Sequence, residues 1–274
     1  MKRSISATST LILAALCLTI LSCSDSTHTG LNAEGKPVIV VPVPPYADLV
    51  RKIAGDSVEV QELIEESDDP HTYSPTPKEI AQLSNAKKDD GHDHHDHHGH
   101  DHHGHDAEEW DPHVWLSPAL LARQALMISE ALQDVVLEEG AAEKIQTAAE
   151  KYVAELHDLD LQLEAALAPM KGKPFYVYHG AFGYFADAYG LRQEAIELNG
   201  RTPEPKALAA LVENAKADGV KMVFVQPQFD QSSAKSLAES IGGEVISINP
   251  LAADVAANLR EIAAQISGST GSYQ

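Results

Sequence analysis

Apolar positions along this chain follow two different rhythms. Val38-Ile39-Val40-Val41 is a short continuous apolar run, the pattern of a strand covered on both faces. Pro44-Pro45 breaks it, 46–54 reads as a helix closed by Gly55, and 58–64 alternates as a second strand. Thr76-Pro77 and Ser117-Pro118 each read as an N-cap followed by proline at the first helical position. They predict one helix to about Asn85 and another running towards Glu139, with a stop at Gly140. From 141 to 169 the period is helical throughout, with Ile145, Ala148, Tyr152, Leu156, Leu159, Leu163 and Ala166 on one stripe. At 1.5 Å per residue such a helix spans roughly 40 Å, more than one domain requires, so it reads as a connection between two lobes.

The remaining third alternates regularly. Strands are predicted at 175–178, 194–198, 220–225 and 244–248, and helices at 181–189, 203–217, 232–241 and 251–266. Strands alternating with helices of this length imply right-handed βαβ units and a parallel sheet, and the two halves read as pseudo-repeats. The fold class is therefore α/β.

Composition narrows the partners. A chain of 274 residues with 43% hydrophobic content can bury one large or two modest cores. A formal net charge of −21 argues against nucleic acid, which wants clustered Lys and Arg. Lys2 and Arg3 precede an apolar run at 11–21 that is too short to span a bilayer and reads as an export signal over 1–22. The run ends in Ile20-Leu21-Ser22-Cys23, which resembles a bacterial lipobox, with Leu21 bulkier than usual. Cys23 then becomes the lipidated first residue, tethering the protein through 23–36 to the membrane; ordinary cleavage nearby is the alternative. Cys17 leaves with the signal and Cys23 carries lipid, so no thiol remains for a disulfide or a metal.

The candidate chemistry lies in histidines. Asp-Pro-His occurs twice, in Asp69-Pro70-His71-Thr72-Tyr73 and Asp111-Pro112-His113-Val114-Trp115. A third histidine, His179, directly follows the strand predicted at 175–178. Ligands in open α/β sheets gather beyond strand ends, and three imidazoles there make a zinc site with water or carboxylate in the fourth position. Asp69 and Asp111 are either acceptors that orient the imidazoles or turn formers. His28 and His157 lie outside any such setting and read as solvated bystanders. Between the two motifs, 89–106 carries His92, His94, His95, His97, His98, His100, His102, His103 and His105 among Asp and Gly. With no apolar side chain it should stay disordered without metal. It reads as an auxiliary metal collector, a zinc sensor or an inert spacer.

The ordered set DPHTYSPTPKEI (69–80), DPHVWLSP (111–118), KYVAELHDLD (151–160), YHGAFGYFADAYGL (178–191) and TPEPKALAALVENAKADGVKMVFVQPQFD (202–230) resembles a known family. It is similar to the ZnuA-type zinc-binding members of the metal-specific, cluster A-I substrate-binding proteins of bacterial ABC importers. The resemblance implies two lobes with small parallel sheets flanked by helices, here 37–139 and 172–274, joined by a linking helix at 141–170. It implies Zn²⁺ held in the interlobe cleft by His71, His113 and His179. It also implies a monomer, in the periplasm or lipid-anchored on the outer face of the membrane, that delivers zinc to a permease driven by a cytoplasmic ATPase.

Three departures from the family pattern stand out. Asn249-Pro250-Leu251 replaces the usual Asp before Pro-Leu, so Asn249 marks a possible fourth-ligand region with a weaker donor. Lys87-Lys88 runs almost directly into the histidine tract, which predicts that the N-terminal lobe lacks a strand-helix unit. Gln226 stands where the family often has Glu. Three imidazoles favour Zn²⁺ over Mn²⁺, whose binders carry more oxygen ligands, although Cu²⁺ and Ni²⁺ bind such a set as well or better. The alternatives are a metal-binding surface lipoprotein or adhesin, import of another divalent metal such as Mn²⁺, and a zinc hydrolase. No HExxH motif or Gly-x-Ser-x-Gly elbow supports the last, and neither Glu66 nor Asp68 is singled out as a base.

Overall fold

The structure is a computed structural model that describes residues 30–80, 111–197 and 201–268. The signal, Cys23 with the first half of the tether, the histidine tract and the end of the helix expected to reach Asn85 lie outside the described residues.

The N-terminal half begins with β1 (Val38–Val41), α1 (Pro44–Ala54) and β2 (Glu59–Glu62), a βαβ unit whose strands pair in parallel with Val38 opposite Glu59. Two corrections arise here. Pro44 and Pro45 do not separate strand from helix; they form the first turn of α1, where a missing N–H costs nothing. β1 is also only half-covered, with Val41 its one buried residue, because among the described residues its sheet has two strands. Downstream, Thr76 and Glu79 close a reciprocal capping box. The Thr76 N–H donates to Glu79 Oε2 at 2.6 Å, and the Glu79 N–H donates to Thr76 Oγ1 at 3.3 Å.

Ser117 caps α2 (Pro118–Val135), its hydroxyl accepting from the Leu120 N–H. This helix stops at Val135 and not near Glu139, since the buried, extended Val136 turns the chain back into the core. Gly140, at φ +75°, then leads into the next helix and does not end the previous one. That helix, α3 (Ala141–Leu167), buries Ala149 and Leu167 in place of Ala148 and Ala166, beside the expected Ile145, Tyr152, Leu156, Leu159 and Leu163. Each fully buried leucine contributes about 1.5–3 kcal/mol of burial. One face of α3 packs on α1 and α2 and continues onto the helix at Val255–Gly268, so one core cluster is shared by both halves, beside a second confined to the C-terminal half.

The C-terminal half is β3 (Pro174–Val177), α4 (Gly183–Tyr189), β4 (Arg192–Ala195), α5 (Pro205–Ala217), β5 (Met222–Val225), α6 (Ser232–Ser240), β6 (Glu244–Ser247) and α7 (Val255–Gly268). Its four parallel strands lie in the order β4-β3-β5-β6, and central β3 is buried along its whole length. α7 begins later than position 251 because Asp254 caps it, accepting from the Ala257 N–H at 3.0 Å. Strand order reverses between β3 and β5, which opens a crevice at their carboxyl ends. The fold is α/β, two lobes with small parallel sheets and a long shared helix.

Candidate metal centre

Three imidazoles meet at that crevice. One ring nitrogen from each of His71, His113 and His179 lies within 4.8 Å of the other two, a convergence of residues from three distant stretches of chain. Ring centroids are 4.5 Å apart for His71 and His179, 5.3 Å for His113 and His179, and 6.1 Å for His71 and His113. Nε2 of His71 is 2.9 Å from Nε2 of His179. Two nitrogens on one tetrahedral zinc lie roughly 3.3 Å apart for bonds of about 2.0–2.1 Å, so sharing an ion requires His71 and His179 to part by a few tenths of an ångström and the three-nitrogen set, spread over up to 4.8 Å, to draw in.

Each histidine is held differently. His71 sits on the loop after β2, where Asp69 Oδ1 accepts its backbone N–H at 2.9 Å. That aspartate shapes the turn, and Thr72 Oγ1 donates to it as well. Asp111 does both jobs open to it: its Oδ1 accepts the His113 backbone N–H at 2.9 Å and the His113 Nδ1–H at 2.7 Å. His113 is buried, with Trp115 edge-on at 5.3 Å. His179 follows β3, and the fully buried Gln226 clamps its backbone. Gln226 Oε1 accepts the His179 N–H at 3.1 Å, and its Nε2 donates to the His179 carbonyl at 2.7 Å. The ring Nδ1 of His179 donates to the buried carboxylate of Glu197. With Nδ1 protonated in both His113 and His179, each Nε2 is left with its lone pair. Desolvation in the cleft, then the neighbouring His179, holds the His71 pKa below the ordinary histidine value against the opposing pull of Asp69.

Two further residues shape the site. The Phe229 ring lies 4.8 Å from that of His179 and 6.3 Å from that of His71, giving the imidazoles an apolar neighbour. Gly183 lets the Asp111 carboxylate in close: a Cβ there would stand 2.6 Å from Asp111 Oδ2. Sequence reasoning missed Glu197, Phe229 and Gly183. Glu197 is brought in by the strand pairing of Val177 with Ala195, which sets residue 197 beside residue 179 and has no counterpart in sequence spacing. His157 is exposed on α3 and takes no part in the cluster, and His28 lies outside the described residues. Asn249 donates to Glu66 Oε1 at 2.6 Å and accepts from Gln228 Nε2 and the Leu251 N–H.

The family described as ZnuA, zinc-uptake complex component A periplasmic, matches residues 39–88 and 87–266. The chain belongs to the ZnuA family. It is 30% identical to the high-affinity zinc uptake system protein ZnuA of Bacillus subtilis over 279 residues, covering 88% of this chain and 87% of that one. It is 29% identical to the zinc-binding lipoprotein AdcA of Streptococcus pneumoniae over 287 residues, 88% of this chain but 54% of AdcA. The chain thus spans about half the length of its AdcA relatives. A crystal structure of ZnuA superposes with a TM-score of 0.74 at 31% identity, covering 85% of this chain and 98% of that one. Among the described residues no helix is long and apolar enough to cross a membrane.

Proposed function

We propose that this protein captures Zn²⁺ outside the cytoplasmic membrane and hands it to the permease of an ABC importer powered by a cytoplasmic ATPase. The observation that carries the reading is the convergence of three imidazole nitrogens within 4.8 Å in the crevice. His71, His113 and His179 are the ligands, and water or a nearby oxygen completes a tetrahedral shell. Asp111 and Glu197 aim His113 and His179 and raise the basicity of their free nitrogens, as carboxylates behind metal-bound histidines do. His71 is the exposed member, so it closes over the ion last and leaves it first.

The protein acts as a monomer whose lobes, 37–139 and 172–274, are joined by the helix at 141–170. It is exported and held at the membrane by lipid on Cys23. The tract at 89–106 gathers zinc weakly and is not the tight site. Names of the relatives support zinc as cargo over manganese, and so does an all-nitrogen donor set.

The test is zinc titration at nanomolar free metal. Wild type should bind one tight equivalent, His113→Ala none, and a variant lacking 89–106 one. Loss of the tight equivalent on deleting 89–106 would contradict the assignment. In the cell, a strain without the protein should fail to grow under zinc starvation and recover with added zinc.

A further inference from the structure

The two lobes meet again at Glu66, Asn249 and Gln228. Glu66 lies on the loop after β2, Gln228 on the loop after β5 and Asn249 on the loop after β6. The Asn249 amide donates to Glu66 Oε1 at 2.6 Å. Gln228 Nε2 donates both to the Glu66 backbone carbonyl at 2.6 Å and to Asn249 Oδ1 at 2.7 Å. The Leu251 N–H also donates to Asn249 Oδ1 at 3.0 Å. The amide of Asn249 is therefore committed to protein at both its oxygen and its nitrogen.

Polarity decides which residue fits at 249. An ionised Glu66 brings only acceptors, so its partner must bring a donor. An aspartate at this position would set one carboxylate against another. Glu66 also shares the loop that carries His71, five positions further on, so whatever anchors Glu66 restrains the most exposed imidazole of the cluster.

We propose that Glu66, Asn249 and Gln228 form a clasp between the lobes that sets how fast bound metal leaves, and that Asn249 serves in this clasp and not as a metal ligand. The proposal rests on the three-histidine site. With the clasp formed, the His71 loop is tied to the C-terminal lobe by the Asn249 and Gln228 amides, which also brace each other. With it broken, that loop can swing away and carry His71 off the ion while His113 and His179 stay in place.

The test is stopped-flow release of zinc from the full chain into a chelator, paired with X-ray absorption at the zinc edge. Glu66→Ala should speed release about three- to tenfold, the scale of a partly exposed hydrogen-bond cluster, while stoichiometry stays at one tight zinc. Asn249→Asp should also speed release. The exchanged pair Glu66→Gln with Asn249→Asp reverses donor and acceptor, and should return release to within about twofold of wild type. Unchanged release in Glu66→Ala, slower release in Asn249→Asp with an added oxygen in the zinc shell, or no recovery in the exchanged pair would each overturn the clasp. Absence of a tight zinc in the wild type would instead overturn the three-histidine site and leave the hydrogen-bonded contact between the lobes as it stands.

Discussion

The carboxylate of Glu197 is buried against Nδ1 of His179, a partner 18 residues earlier in the chain that only the parallel pairing of β3 with β4 brings alongside. This contact fixes the tautomer that leaves Nε2 facing His71. Glu197→Ala should weaken zinc binding about 10–100-fold by competition against a calibrated chelator, the range seen when partners behind metal ligands are removed. Glu197→Gln keeps an acceptor oxygen and should fall between the two. Equal affinity in all three would show that His179 needs no orienting partner.

Gly183 and Asp111 make a matching pair at His113. Gly183→Ala drives a methyl group to within 2.6 Å of Asp111 Oδ2, so the carboxylate must shift, and the His113 Nδ1–H contact with it. Zinc affinity should drop about tenfold or more. Asp111→Asn should lose affinity through the same contact. Combining Gly183→Ala with Asp111→Asn should cost little beyond either alone, since both act through His113. Additive losses would place the effect of Gly183 elsewhere.

Acid should release the metal. The His71 pKa is held below the ordinary value of about 6.5, chiefly by desolvation, so this imidazole is neutral at pH 7 and no proton need be displaced from it. The sign for the apo fold is the same: a depressed folded-state pKa means that stability present above about pH 6.5 is lost as the pH falls. Zinc affinity by calorimetry should be nearly flat from about pH 7 to 8 and decline below about pH 6 as protons compete for imidazole. An unchanged affinity at about pH 5 would contradict imidazole ligation.

Trp115 ties the lobes through the buried core. Its Nε1–H donates to the Pro250 carbonyl at 2.7 Å, and both residues are buried. Trp115→Phe leaves that carbonyl without its partner, so unfolding by urea should show a loss of about 1–3 kcal/mol. A smaller loss would mean that water replaces the indole.

What could be read from the residues divides along a physical line. The three histidines were legible because each sits where local chemistry marks it, two behind Asp-Pro and one just past an apolar strand. The element order in the C-terminal half followed from periodicity, and the long helix appeared from its stripe alone. Helix ends were less legible. Prolines that look like breakers open α1, and Val136 ends α2 because the core takes its side chain, a fact that no local propensity carries. The one-position slips on α3, from Ala148 to Ala149 and from Ala166 to Leu167, arise because a spacing of three or four fits either side of the stripe.

Residues behind the three imidazoles were hidden for a different reason. Asp69 and Asp111 occupy identical motifs, yet only Asp111 reaches its imidazole ring, because Gly183 on the opposite lobe admits it. Glu197, Gly183 and Glu66 gain their roles from pairing across the fold, which sequence spacing does not express.

The central claim is that imidazoles from three stretches of chain share one ion, and a zinc-loaded crystal measured at the zinc absorption edge tests it most directly. The account predicts one strong anomalous peak in the crevice, about 2.0–2.1 Å from a ring nitrogen of each of His71, His113 and His179. A principal peak bound by none of these three, or by the histidines of 89–106 instead, would contradict it.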